Sequence, residues 1–451
     1  MKRSENVVAS GSEEKIRFAV AWSANTDPAA AGKEATQRAI EALGCPAKAV
    51  VFYTYYQDPD FTPDEKSQAT ACKADVPAEK AVAEAVNEAC DGVKNIGCRA
   101  RCLTNSGTLL RNAVAVLAVG GDQASAETCK VEIQDNRLAT GKAVAGAMKD
   151  VKDLKLILVL AEMRLSFEAK EGVSVEDFIR GVVDNSPKGI TLFGGNSMPD
   201  DMESAGGLAG AQFKDGEAMK GHVVAIGIGG PIDAFGNHTN EFKPAKDTVT
   251  VTETKDKWIV TLDDKPAEEV YRKLRGMKED DELSSDWQHP IGVIVAEGKE
   301  YVRMVLNWVP EKGKDREGKE VDTPKGSLCF VAPVVKGSKI KVLCGGDSAP
   351  SIIAAAKKGI RETVKEVKQA GDEPALCLLS NCCARGMRLR TFGKKTDDEV
   401  TQAILPALGN RVPLFGFYAW GELGRIKGEY EGLSHQYQQH TFVSTIVGIK
   451  K

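Results

Sequence analysis

Residues 113–122 read AVAVLAVGGD, and residues 339–347 read KIKVLCGGD. Each is an apolar run of strand length closed by Gly-Gly-Asp. An Ala-rich stretch of helical character follows each one, Arg137–Asp150 and Ser351–Ala370. An apolar strand comes next, LKLILVLAEM (154–163) or ALCLLSNCC (375–383). Near the start of the chain, Ile16–Trp22, Pro28–Leu43 and Lys48–Tyr55 repeat the order strand, helix, strand. Recurrence of one supersecondary unit outweighs any single motif as a guide to architecture.

Working outward, each second strand leads into a second helix with a start signal. Asp75 precedes Pro77, and Ser174 with Asp177 and Thr396 with Glu399 have the spacing of capping boxes. Phe178, Ile179, Val182 and Val183 form one apolar helical face, as do Val400, Ala403, Ile404 and Ala407, with Pro406 ending or kinking that helix. Two further strands follow each helix: Val93–Cys98 and Ala113–Val119, Ile190–Gly194 and His222–Gly227, Val412–Tyr418 and Thr441–Ile449. The pattern β-α-β-α-β-β therefore recurs three times, the last strand of one unit opening the next. Alternating helices and strands imply an α/β fold. The consecutive strand pairs imply mixed sheets.

Residues 231–336 break the rhythm. TVTVTETKDKWIVTLDD (248–264) alternates as a hairpin turning near Lys255-Asp256, and Gly, Pro and Asn cluster at 230–240. Two domains follow, 15–235 and 236–451. The chain has 451 residues, 42% of them hydrophobic and 27% charged, ample for a packed core. A net charge of -4 argues against a nucleic-acid partner. No apolar run approaches the ~18 residues that cross a bilayer. The polar start MKRSENVVASGSEEK has no signal-peptide core, and the 11 cysteines are irregularly spaced, so a cytoplasmic location with free thiols is expected.

ITLFGGNSMPDD (190–201) with GAQFKDGEAMKGHVVAIGI (210–228) resembles the FIST N-terminal domain. VTVTETKDKWIVTLDDKPAEEVY (249–271), LLSNCCARG (378–386), VPLFGFYAWGELG (412–424) and QQHTFV (438–443) resemble the FIST C-terminal domain. The resemblance implies a sensory input module that binds a small ligand such as an amino acid. A subset of the family is haem-bearing and senses nitric oxide. No length remains here for an output domain, so the resemblance also implies a separate signalling partner. The sequence departs from the family at GCRARCLTNSGT (97–108), which lacks the family's acidic residue, and at His440, displaced by two positions in the closing motif.

The site expectations are as follows. Asn196 and Ser197, after the Gly194-Gly195 turn, offer polar ligand contacts or simply complete the turn. Tyr418, Trp420 and Glu422 suit a pocket holding an ammonium. Alternation puts Tyr418 and Trp420 on one strand face and Phe417 on the other. Arg385 would take a carboxylate through its bidentate fork. Gly120-Gly121-Asp122 and Gly345-Gly346-Asp347, placed between strand and helix, are either anion sites at helix starts or capped turns. His435 and His440 are the residues for an axial haem ligand, should haem bind. Cys382 or Cys383 beside Arg385 would serve a thiol enzyme, or else pack as small buried residues. No catalytic elbow, P-loop, dinucleotide fingerprint or metal-binding cysteine pair is present.

Overall fold

The computed structural model describes residues 7–12, 14–57, 74–110, 112–167, 173–199, 210–278, 281, 283, 289–296, 299–311, 313–315, 318–330, 332–344, 348–395, 397–409, 411–430, 432–439 and 441–450. Three of its four sheets repeat one topology. The first unit has strands Arg17–Ser23, Ala47–Tyr55, Asn95–Arg99 and Ala113–Gly120. The second has Ser125–Glu132, Leu154–Ala161, Thr191–Asn196 and His222–Gly229. The third has Ile232–Thr239, Glu373–Cys382, Leu414–Ala419 and Phe442–Ile449. In every unit the fourth strand lies antiparallel between the first and second, and the second runs parallel to the third. The parallel pair needs a crossover, and a helical segment supplies it. In the first two units this is Val76–Cys90 and Val175–Val183. In the third it is the helix Cys383–Thr391 followed by a π-turn, Val400–Ile404, that runs into the short helix Leu405–Leu408. Pro406 lacks an N–H, so the regular ladder cannot continue through this segment.

The three sheets are locked together by exchanged hairpins. Between its third and fourth strands each unit extends a hairpin that pairs antiparallel with another unit's third strand. Cys102–Thr104 with Leu109–Leu110 joins Leu414–Ala419 of the third unit. Gln212–Lys214 with Glu217–Met219 joins Asn95–Arg99 of the first. Glu422–Tyr430 with Leu433–Gln438 joins Thr191–Asn196 of the second. The ring closes on itself. The inward faces form one continuous apolar core, in which Phe18, Leu117, Leu158, Ile226, Phe415 and Val447 are fully buried. Tyr53 stacks on Phe415 with centroids 4.2 Å apart. Outward faces pack against the helices, as Val159, Phe178, Ile179 and Leu423 show.

Residues 243–344 are inserted after the third unit's first strand and build the nine-stranded fourth sheet. The expected hairpin is there, Val249–Lys255 with Trp258–Leu262, and Asp256 at its turn has φ 51°. Three details differ from expectation. Lys339–Cys344 belongs to the inserted sheet, and Ile232–Thr239 opens the third unit. Gly120-Gly121-Asp122 links two strands, Ala113–Gly120 and Ser125–Glu132, so no helix start faces it. Instead it borders an open depression of about 830 Å³ rimmed by Lys48, Lys152, Lys155 and Lys450. Ser174 caps its helix as expected, but its hydroxyl pairs with Glu176 instead of Asp177. Gly345-Gly346-Asp347 and Thr396 lie outside the described residues. No helix among the described residues is long and apolar enough to cross a membrane.

Candidate functional site

The three sheets meet where the third strands of the second and third units end. Asn196 donates its backbone N–H to the Gly421 carbonyl at 3.1 Å, and Trp420 returns one to the Asn196 carbonyl at 3.3 Å. Ser197 N–H reaches the Ala161 carbonyl at 2.8 Å and Met198 N–H reaches Arg99 at 2.9 Å. Residues 196–198 thus stitch all three units within three positions. The Asn196 Nδ2 donates to Ser166 Oγ (2.5 Å) and to the Trp420 carbonyl (2.7 Å). Ser197 Oγ accepts from Gln212 Nε2 at 2.7 Å. Asn196, Ser197 and Gln212 are completely buried, yet Asn196 Oδ1 and Gln212 Oε1 have no hydrogen-bond partner. Buried polar atoms in native proteins are rarely left so.

Gly195 explains how the strands approach so closely. A Cβ there would stand 2.7 Å from the Gly421 carbonyl and 3.0 Å from Ser380 Oγ. Trp420 packs half-buried on Tyr55 and Met198. Tyr418 points instead to the outer core with Leu103, Leu379 and Ile404. The expected shared face of Tyr418 and Trp420 is therefore not realised, because the strand stops at Ala419 and its alternation stops with it.

Glu422 is fully buried and lies on the inward face of its hairpin. Its Oε2 accepts from the Thr441 hydroxyl (3.0 Å) and backbone N–H (3.3 Å), and its Oε1 from Gly421 N–H (3.2 Å). Burial, reinforced by the neighbouring Cys382, pushes this carboxyl well above the usual range, against the pull of Thr441. Burial thus disfavours the charged form of Glu422, which weakens it as a partner for an ammonium.

Arg385 corrects the sequence expectation more sharply. Its guanidinium is fully buried and bonded to Glu241 and Glu399, with Asn381 Oδ1 and the Ile352 carbonyl each at 3.1 Å. Against the cost of burial, the two carboxylates hold it firmly charged. Arg388 adds a second contact to Glu241 at 3.0 Å. Arg385 therefore has no fork to offer a ligand carboxylate, and it lies on the helix-facing side of its sheet, away from Glu422. The same arrangement occurs in the other two units, where a glutamate at the start of the second helix is buried against an arginine. Glu79 meets Arg99 at 2.6 Å and Glu176 meets Arg303 at 3.0 Å.

His435 is buried, and its Nε2 accepts the Leu192 N–H at 3.2 Å. Burial, with Arg425 adding to it, lowers this imidazole to about 3. The nitrogen a haem iron would require is thus engaged by backbone, and His440 lies outside the described residues. Cys382 is buried beside Glu422, and Cys383 is half-buried.

The residues that sequence reading missed are Ser166, Gln212, Ser380, Gln436 and Gln438. The last two sit in LSHQYQ (433–438), whose polarity reads as an exposed strand. Only the exchanged hairpin turns it inward.

The FIST N domain family model matches residues 69–265 and the FIST C domain model matches residues 267–425. The chain belongs to the FIST family. FIST domains are associated with small-ligand sensory signalling. No curated protein matches this FIST chain. Among solved structures, cyanuric acid hydrolase from A. caulinodans is similar at 8% identity over 51% of this chain and 72% of that one, TM-score 0.26. T. maritima PurL complexed with ADP is similar at 10% identity over 99% and 74%, TM-score 0.21. Likenesses this low carry no argument about fold or chemistry.

Proposed function

We propose that this FIST protein is a small-ligand sensory module whose ligand binds at the junction of the three units, around Asn196, Ser197, Trp420 and Glu422. The observation that carries this reading is the pair of fully buried, unpartnered oxygens Asn196 Oδ1 and Gln212 Oε1, set where all three units are stitched together. A ligand engaging that point touches every unit at once, which is the property a sensor needs to turn occupancy into a change of shape. The chain carries no recognised catalytic arrangement there. Burial disfavours the charged form of its glutamate, and its other buried polar groups are amides and hydroxyls, so the site suits binding more than acid–base chemistry. Output passes to a separate signalling partner in this reading.

A thermal-shift screen of the purified chain against small polar metabolites tests it. A ligand at 100 times its Kd adds about 2.7 kcal/mol of stability. The shift should be saturable, and Asn196→Ala should weaken the ligand by roughly tenfold, the loss of about one hydrogen bond. A ligand whose affinity is unchanged in Asn196→Ala and in Trp420→Ala binds elsewhere, and the placement fails.

A further inference from the structure

The hairpin Glu422–Tyr430/Leu433–Gln438 does more than lock the ring. Alternation from Leu423, His435 and Tyr437, which face the helices, turns Glu422, Gly424, Gln436 and Gln438 inward against the third unit's sheet. That sheet answers with Ser380 and Thr445 on its own inward face, alternating with Leu379 and Ile446 on the helix side. The two layers are in close apposition. A Cβ at Gly424 would stand 2.3 Å from Val443 Cγ1, and one at Gly236 would stand 2.9 Å from Arg425 Cβ. Gln436, Gln438, Ser380 and Thr445 are all completely buried. Both polar atoms of each glutamine and the hydroxyls of Ser380 and Thr445 have no hydrogen-bond partner, six atoms in one seam.

Six unpartnered polar atoms in residues without exposure are far more than chance irregularity leaves in one place. Each glutamine holds a donor and an acceptor side by side. The orphaned atoms of the seam all belong to uncharged side chains, two amides and two hydroxyls, so they match no ion. We infer that the seam is the specificity-determining part of the ligand site, built for an uncharged small molecule with adjacent N–H and C=O groups, an amide-type ligand read by Gln436 and Gln438. This deepens the sensory reading and rests on it. Its orphaned atoms are uncharged donors and acceptors, so the chemistry they match is that of an amide and not of the charged ends of an amino acid.

The test has two readouts. The first is the melting temperature, without any added ligand, of Gln438→Leu and Gln436→Leu. These near-isosteric changes remove orphaned polar atoms from a buried layer, so each variant should melt a few degrees higher than wild type. If both melt lower, the amides are satisfied within the fold and the inference falls, while the sensory reading stands. The second is binding by calorimetry of acetamide, 2-pyrrolidone and glutarimide, with glycerol, xylitol, glutamate and arginine as the contrasting set. Saturable binding of the amides that drops at least tenfold in Gln438→Leu supports the inference. Binding confined to the polyols or to the charged amino acids overturns it and leaves the sensory reading in place. A seam that binds neither set while Asn196-dependent binding of another metabolite is found has the same meaning.

Discussion

Replacing Arg385 by alanine removes a guanidinium that four internal acceptors share. Its removal takes the ion pair from Glu399 and the donor from the Asn381 side-chain oxygen, and takes one of two arginines from Glu241. All of these groups are buried, so water cannot substitute without opening the structure. Removing one partner of a buried ion pair typically costs about 3–5 kcal/mol. The surviving bonds, Arg388 to Glu241 at 3.0 Å and Asn381 Nδ2 to Glu399 at 2.8 Å, keep the cost within that range instead of doubling it. Against a net stability on the order of 5–15 kcal/mol, that is a large fraction. With a urea dependence of about 2–3 kcal/mol per molar, the unfolding midpoint should fall by roughly 1–2 M. Far-UV dichroism and tryptophan fluorescence should be followed together, since coincident curves justify the free-energy conversion. The double change Arg385→Ala with Glu399→Gln should recover part of the loss, because a stranded charge becomes a neutral amide. An Arg385→Ala protein with a wild-type midpoint and weakened ligand affinity would refute the reasoning and restore Arg385 to the ligand.

Glu422→Gln should raise stability relative to wild type, increasingly so as pH rises. The native state keeps a proton that the unfolded chain releases above its ordinary value of 4.5, so wild-type stability from this group is lost with rising pH by up to about 1.4 kcal/mol per unit. Urea midpoints of both proteins from pH 5 to 8 should diverge, and parallel curves would contradict a carboxyl raised by burial. His435 has the opposite sign. The unfolded chain takes up a proton near 6.5 that the native imidazole refuses until about 3, so stability falls as pH drops through that window. His435→Gln should flatten that part of the profile, and an unchanged acid limb would place the cause elsewhere. Gly424→Ala should cost about 1–3 kcal/mol by overpacking against Val443. Val443→Ala should then recover part of the loss, and an absence of recovery would mean the two sheets are not in contact there.

Much of the architecture was legible from periodicity. The two helices of the first two units, the hairpin at 249–262 and the strand pairs follow from apolar spacing and from Asp75, Ser174 and Pro77 at helix starts, which are local signals. The candidate site was legible only in outline. Asn196, Ser197, Trp420 and Glu422 do gather at one junction, but Arg385 is taken up by Glu241, which is 144 positions away. A spacing rule reports which residues share a face, whereas the charge state of a side chain depends on partners from distant segments.

The sequence by itself settled that this chain is α/β, that a strand-helix unit recurs, and that it carries FIST family residues along most of its length. These rest on interactions within about one turn or one strand pair, where neighbours in space are neighbours in sequence. Only the tertiary structure decided that hairpins are exchanged around the ring, that the third unit opens at Ile232, and that Gln436 and Gln438 face inward while Arg385 is spent. Those outcomes depend on which distant strand edge each hairpin completes. That choice is made by the burial of whole sheet faces, and no local pattern encodes it.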